Sequence, residues 1–171
     1  MKTLVVGLGN PILGDDGVGW KVAEEVRREM EIGELENNSP ILQSSIVVDC
    51  FALGGLSLME RLIGYDRAIL VDAVARGGQP GAVTCTRLDE LPDRSTAHTT
   101  AVHDTSLQNA IRVGRQMGAH LPETIWVVGI EAEPVYEFSE ELTPAVSAAA
   151  PRAVQLVLSL LEERECFYDL T

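Results

Sequence analysis

Cysteine is scarce in this sequence, and its cysteines form no recognisable pattern. The three of them, Cys50, Cys85 and Cys166, are far apart along the chain. An odd number of cysteines with no CxxC or Cys/His spacing indicates neither a disulfide framework nor a zinc site. We therefore expect a protein of the reducing cytoplasm.

Positive charge is also in short supply. The 171 residues include 13 Lys and Arg against 26 Asp and Glu, which gives a formal net charge of −13. Such a field opposes the approach of a polyphosphate chain or an anionic membrane surface. We expect no nucleic-acid partner and no membrane partner.

Several common sequence signals are missing. The first six residues lead directly into a glycine-rich segment, so we expect no signal peptide, and we expect no apolar run long enough to span a bilayer. The chain contains no GxxxxGK[ST] element and no GxSxG element. These absences argue against a phosphate-binding P-loop and against the serine nucleophile of the α/β hydrolases.

Apolar runs rich in β-branched residues are present, and turn-forming residues bound them. With 46% apolar residues, the chain is suited to one domain spanning residues 1–171, and we expect a monomer. The runs predict strands that are mostly buried on both faces. They are Thr3–Gly7, Ser45–Asp49, Ala68–Asp72, Ala82–Arg87 and Ile125–Ile130.

Segments with helical spacing separate most of these strands. They predict helices over 18–30 and 56–63, a third that starts near Asp104, and a fourth over 143–163. The resulting order βαβαββαβα is typical of a three-layer α/β/α sandwich, with helices on both faces of a five-stranded, mostly parallel sheet. The stretch VARGGQPGAV (74–83) is too short for a crossover helix, so the fourth strand is expected to run antiparallel.

The segment GLGNPILGDDGVG (7–19) resembles a phosphate-binding loop at its beginning but not at its end. A turn between a strand and a helix lies at the carboxyl end of a strand, where open α/β folds bind their ligands. The dinucleotide pattern GxGxxG is broken, because Ile12 stands at its third glycine. Asp15 and Asp16 begin the next helix and would repel a phosphate there.

The two adjacent aspartates invite different interpretations. Either is a suitable N-cap for the helix that follows, and we favour this role for Asp15. Two consecutive carboxylates cannot both be the cap, which leaves Asp16 as a candidate for binding a cation at the mouth of the crevice.

Two more acids end predicted strands. Asp72 ends the run AILVD, where an unpaired carboxylate costs free energy, and it is equally suited to capping backbone N–H groups or binding a ligand. Asp49 ends SIVVD and more readily has a structural role. The three acids, Asp16, Asp49 and Asp72, are expected to converge on one edge of the sheet.

One of the three histidines stands directly before a predicted helix. His103 lies in AVHDTSL, whereas His98 and His120 lie in polar segments and are expected to be solvated. Two carboxylates with one imidazole suit a divalent ion such as nickel or zinc and leave coordination positions open. Covalent catalysis is not favoured, because HDTS (103–106) is too compact for a triad and Cys50 fits as a small buried residue.

Four ordered blocks of the sequence resemble the hydrogenase maturation proteases, endopeptidases that remove the C-terminal extension from the large subunit of [NiFe] hydrogenases. The blocks are LVVGLGNPILGDDGVG, AILVDAV, HDTSL and VVGIEAEPVYEFSEELTPAV. The segment DCFALGGLSL (49–58) departs from the Asp-Gly-Gly-Thr-like stretch that is usual in that family.

The resemblance implies a site, a metal and a partner. It assigns both metal binding and catalysis to Asp16, Asp72 and His103. The nickel is supplied by the precursor of the large subunit, which is the expected partner, so no resident cofactor is expected, and cadmium or zinc is expected to substitute in crystals. The nickel either polarises the scissile carbonyl and activates water or only positions the tail.

Two other functions compete with this one. A non-catalytic, nickel-dependent binding or chaperone module for the immature large subunit has no sequence feature that separates it from a protease. VGLGNP also opens the peptidyl-tRNA hydrolases, but this chain has ILGDDGVG where those enzymes carry their catalytic histidine, and its net charge of −13 disfavours tRNA.

Overall fold

The computed structural model describes residues 1–37, 45–92, 106–133 and 138–162. The predicted order of strands and helices is confirmed. The strands are β1 Thr3–Leu8, β2 Ile46–Phe51, β3 Arg67–Val74, β4 Val83–Arg87 and β5 Thr124–Glu131. The helices are α1 Val18–Asn37, α2 Gly55–Leu62, α3 Leu107–Gln116 and α4 Pro144–Glu162. The predicted start near Asp104 lies outside the described residues, and within them Ser106 caps α3.

The five strands form one mixed sheet in the order β2-β1-β3-β5-β4. β1 pairs in parallel with β2 and β3, and β3 pairs in parallel with β5. β4 is antiparallel as expected, but its partner is β5 rather than β3. The connection between β3 and β4 therefore passes the carboxyl end of β5. The carboxyl ends of the four parallel strands together form what we call the carboxyl edge of the sheet.

The sheet carries helices on both faces, so the three-layer arrangement is confirmed. On one face, α1 and α4 pack with side chains such as Val5 and Ile69 in one core cluster. On the other face, α2 and α3 pack with Leu4, Val6 and Leu70 in a second cluster. Successive residues of β1 thus point into opposite cores, as strand geometry requires.

Burial on both faces holds for the central strands but not for the edges of the sheet. Every residue of β1 is buried, whereas β2 and β4 have half-buried and exposed positions. The expectation that all five strands are mostly buried is therefore wrong for these two. Each of them has a neighbouring strand on one side only, which leaves more of its surface in contact with water.

Helix α4 corrects the expectation about apolar length. Among the described residues, Pro144–Glu162 is the one helix long and apolar enough, by length and composition alone, to cross a membrane. Its apolar residues, including Val146, Ala153 and Val157, are buried in the same cluster as α1 and the sheet. The helix thus buries one face against the core, and its other face is exposed.

The first turn of α1 lies directly against the backbone of the sheet. A Cβ atom on Gly19 would lie 2.3 Å from the carbonyl oxygen of Leu8 and 2.4 Å from that of Val71. Only a residue without a side chain permits this approach. The start of α1 is therefore fixed over the carboxyl ends of β1 and β3.

Contrary to the expectation from sequence, Asp15 does not cap α1. It lies in a turn of 3₁₀ helix, Gly14–Gly17, and only 3% of its surface is exposed. Its carboxylate accepts hydrogen bonds from the backbone N–H of Thr143 at 2.7 Å and from the Thr143 hydroxyl at 2.8 Å. Thr143 immediately precedes α4. Asp15 therefore joins the loop after β1 to the start of the last helix.

Replacing Asp15 tests this connection. We expect Asp15→Ala to lower the free energy of unfolding by about 2–3 kcal/mol. Two hydrogen bonds to a charged acceptor are lost, and the Thr143 N–H and hydroxyl lose the carboxylate to which they donate. Urea unfolding followed by circular dichroism measures the change. Asp49→Ala is the control, since Asp49 is exposed and, among the described residues, accepts a hydrogen bond from the adjacent Cys50 N–H. Equal stability of the two variants would contradict the proposed connection.

Candidate functional site

Asp16 and Asp72 lie in one cleft at the carboxyl edge of the sheet. The cleft has a volume of about 390 Å³. It is lined by Leu8, Gly9, Asn10, Asp16, Ala52, Leu53 and Asp72. These residues follow β1 and β2 or lie near the end of β3, where the chain crosses from one side of β1 to the other. Such a reversal in strand order is where open α/β sheets bind their ligands.

The loop after β1 holds the Asp16 carboxylate in place. Its Oδ2 atom accepts a hydrogen bond from the backbone N–H of Asn10 at 2.6 Å. Gly9 has a φ of 112°, and a Cβ atom there would lie 1.8 Å from the backbone oxygen of Asp16. Asp16 is half-buried and bonds within the loop, not to the first turn of α1.

The environment of Asp72 favours its protonated form. Desolvation by burial, followed by the repulsion of Asp16, raises the pKa of Asp72 to about 7. The Ala73 backbone N–H and the charge of Arg76 lower it by less. Among the described residues that line the cleft, none carries a positive charge. The described lining of the cleft therefore offers the two carboxylates no cation, and the charge of Arg76 offsets only part of their repulsion.

Contrary to the expectation from sequence, Asp72 is not the last residue of its strand. β3 continues to Val74, and Asp72 pairs in register with Gly129 of β5. Apolar composition indicates where the buried part of the strand ends, whereas backbone pairing continues for two residues beyond Asp72. The side chain nevertheless reaches the cleft.

Asp49 does not join the other two acids. β2 continues past it to Phe51, and its Oδ1 atom accepts the N–H of the next residue, Cys50, at 2.8 Å. Asp49 is exposed and does not line the cleft, which Ala52 and Leu53 bound on this side. The expected convergence of three acids is wrong, and two of them meet.

The histidines are only partly described. His98 and His103 lie outside the described residues. His120 is exposed as expected, with Nε2 3.0 Å from Asp66 Oδ1. Within the described ranges, no three His, Cys, Asp or Glu side chains form a cluster that could hold a metal ion. The set of Asp16, Asp72 and His103 thus remains a prediction.

The described part of the chain offers little to a covalent mechanism. Ser106 accepts the Asn109 N–H at 3.2 Å as the N-cap of α3. Cys50 is half-buried, and burial is the main cause that raises the pKa of its thiol. A raised pKa leaves less of the nucleophilic thiolate at neutral pH.

Sequence reasoning missed two residues that shape the site. One is Asn10, whose N–H orients Asp16. The other is Glu131, a buried acid that ends β5 and accepts the N–H groups of Arg76 at 2.6 Å and Gly78 at 3.0 Å. Desolvation alone would raise the pKa of Glu131, but the backbone N–H groups and the charge of Arg76 outweigh it, so the pKa lies below its ordinary value. The available signal was an acid at the end of the apolar run IWVVGIE, the same signal that identified Asp72.

Comparison with known proteins identifies the family. A family model described as HycI, hydrogenase maturation protease, matches residues 21–160. The hydrogenase expression/formation protein HupD of Rhizobium leguminosarum bv. viciae is 28% identical over 160 residues, which cover 94% of this chain and 74% of HupD. The hydrogenase 2 maturation protease of Escherichia coli (strain K12) is 27% identical over 177 residues, which cover 99% of this chain and 100% of that protein.

Solved structures agree with this assignment. The hydrogenase maturating endopeptidase HybD from E. coli superposes with a TM-score of 0.72 at 26% identity, over 96% of this chain and 94% of HybD. The hydrogenase 2 maturation peptidase from Thaumarchaeota archaeon SCGC_AB-539-E09 superposes with a TM-score of 0.62 at 27% identity, over 95% and 99% of the two chains. The resemblance found in the sequence blocks is thus confirmed, and the chain belongs to the hydrogenase maturation protease family.

Proposed function

We propose that this protease removes the C-terminal extension of a [NiFe] hydrogenase large-subunit precursor and recognises the nickel already bound there. Asp16, Asp72 and His103 are the proposed ligands and catalytic residues. The observation that carries the proposal is the pair of carboxylates, Asp16 and Asp72, in one cleft with no cationic side chain among its described lining.

The electrostatics of the cleft favour a cation brought from outside. Two carboxylates that repel each other in a partly desolvated cleft destabilise the empty protein, and a divalent ion between them reverses the sign of the interaction. Two carboxylates alone leave several coordination positions of the ion open. Ligands from the precursor can occupy these positions, so the cleft is suited to an ion that arrives already bound to another protein.

The proposed site supports two roles for the ion. In the first, it polarises the scissile carbonyl and lowers the pKa of a bound water, as in metal-assisted hydrolysis. In the second, it only positions the extension beside the carboxylates, and one of them accepts a proton from the attacking water. Exchange of nickel for other divalent ions separates the roles, because only the first makes the rate of cleavage depend on the acidity of the metal-bound water.

A cleavage assay with purified components tests the proposed function. We expect the protease to shorten the nickel-loaded precursor and to leave the nickel-free precursor intact, as measured by the mass of the large subunit. Asp16→Asn, Asp72→Asn and His103→Ala should each lower the rate by about 100-fold or more, since each removes a ligand or a proton acceptor.

Two matched variants are the controls for this assay. Asp49→Asn changes an aspartate outside the cleft, and His120→Ala changes an exposed histidine that lies against Asp66. Both should cleave at a rate near that of the wild type. A loaded precursor that binds to the pure protease and stays intact would refute proteolysis and favour a binding module. A His103→Ala protein with wild-type turnover would remove His103 from the site.

The raised pKa of Asp72 predicts how stability depends on pH. Between its ordinary value of 3.8 and about 7, the folded protein holds this proton more tightly than the unfolded chain does. The free energy of unfolding therefore falls as pH rises through this range. In chelator-treated protein, Asp72→Asn removes this loss and should be more stable than the wild type at pH 8, by a few kcal/mol at most, because one pKa unit is worth about 1.4 kcal/mol.

The gain should be nearly gone near pH 3, below the ordinary value of 3.8, where Asp72 is mostly protonated in both states. Urea unfolding at the two pH values measures it, and Asp49→Asn should match the wild type at both. An Asp72→Asn protein that is less stable than the wild type at pH 8 would show that the Asp72 carboxylate stabilises the fold.

A further inference from the structure

Two large apolar side chains are exposed on the loop after β1 and on the segment that pairs with it through hydrogen bonds. Phe138 is 83% exposed and Ile12 is 45% exposed. The residues that follow them, Leu13 and Ser139, form a short parallel bridge. Ser139 N–H donates to Ile12 O at 3.0 Å, and Gly14 N–H donates to Ser139 O at 2.6 Å. Ile12 and Phe138 therefore occupy neighbouring positions on a paired backbone.

This frame is anchored further along both segments. Asp15 receives two hydrogen bonds from Thr143, and the N–H of Asp16 donates to Leu13 O at 3.3 Å. The exposure of Ile12 and Phe138 is thus fixed by backbone pairing. Large apolar side chains that are exposed next to each other are candidates for binding another molecule, whereas isolated ones are common on protein surfaces.

Two further exposed apolar residues lie on the same edge of the sheet. Leu53 is 37% exposed and lines the cleft itself, while Leu56 is 50% exposed in the first turn of α2. Leu53 makes this surface continuous with the cleft that holds Asp16 and Asp72. We call Ile12, Leu53, Leu56 and Phe138 the apolar rim.

We propose that the apolar rim is the docking surface for the precursor, and that it binds an apolar area surrounding the nickel-bearing segment of that protein. The inference rests on the proposed function, because it takes the precursor as the occupant of the cleft. Any protein that brings a cation between Asp16 and Asp72 must also cover Leu53, which lines the cleft. The residues around that cation then remove the rim from water, at about 25 cal/mol for each Å² of apolar surface buried.

The rim and the acidic cleft have separate tasks. The carboxylates attract any divalent ion, including one free in solution, so they cannot distinguish a loaded precursor from a free metal ion. The apolar rim contributes affinity only for a macromolecule with a complementary surface. Binding energy from the rim therefore selects the protein substrate, and the carboxylates select its metal.

Test and control residues can be matched as large apolar side chains of equal exposed fraction. The test variant is the double substitution Ile12→Ala and Phe138→Ala. The control is the double substitution Ile63→Ala and Met117→Ala, because Ile63 is also 45% exposed and Met117 is also 83% exposed. Ile63 and Met117 follow the ends of α2 and α3, at the opposite edge of the sheet.

We expect the test variant to raise KM for the nickel-loaded precursor by about tenfold or more, because apolar anchors near the centre of an interface dominate affinity. The kcat value and the affinity of the free protease for cadmium should stay within about twofold of the wild type. The control variant should match the wild type in all three measurements.

Several outcomes would overturn the proposal. Equal KM values for the test and control variants would show that the rim does not touch the precursor. A wild-type protein that forms a dimer by sedimentation, and that the test variant makes monomeric, would assign the rim to a second copy of this chain. If the wild type binds the loaded precursor without cutting it, the proposed function fails, while a tenfold loss of binding in the test variant would still support the rim.

Discussion

The contact of α1 with the backbone of the sheet is the constraint on which the site depends. Because residue 19 is glycine, the first turn of α1 rests on the carbonyl oxygens of Leu8 and Val71. Val71 is followed by Asp72, and the turn that leads into α1 contains Asp16. The same close approach that seats the helix therefore brings the two carboxylates together. A bulkier residue would lift the helix and open the distance between them.

The carboxylate pair is an unfavourable interaction within the fold, since burial and the charge of Asp16 both raise the pKa of Asp72. Neither Asp16 nor Asp72 faces a cationic side chain among the described residues of the cleft, and the pKa of Asp72 is raised to about 7. Functional sites often keep such unfavourable interactions while the remaining structure maintains the fold. Here the two core clusters, the paired strands and the Asp15–Thr143 connection provide that support.

The strands, the helices and one half of the site could be predicted because their signals are local. Apolar runs and helical periodicity indicate burial. Asp72 was found because it ends such a run, and Asp16 because it is the second of two adjacent acids at the start of a predicted helix. The role of Asp15 could not be predicted, because its partner lies 128 residues away in the sequence. Asp49 was misplaced because β2 is an edge strand of the sheet, where its side chain is exposed to solvent and does not line the cleft. The exposure of the edge strands depends on the order of strands in the sheet, and that order cannot be predicted from composition.

The bridge between Leu13 and Ser139 determines how late in synthesis the loop after β1 can fold. The first loop of the chain completes its backbone pairing only with a segment close to the last helix, so translation must be nearly finished before the loop reaches its final shape. Contacts between such distant parts of a chain form late in folding. Until residues 138–143 are in place, the loop after β1 lacks the hydrogen bonds that Ser139 and Thr143 make with it.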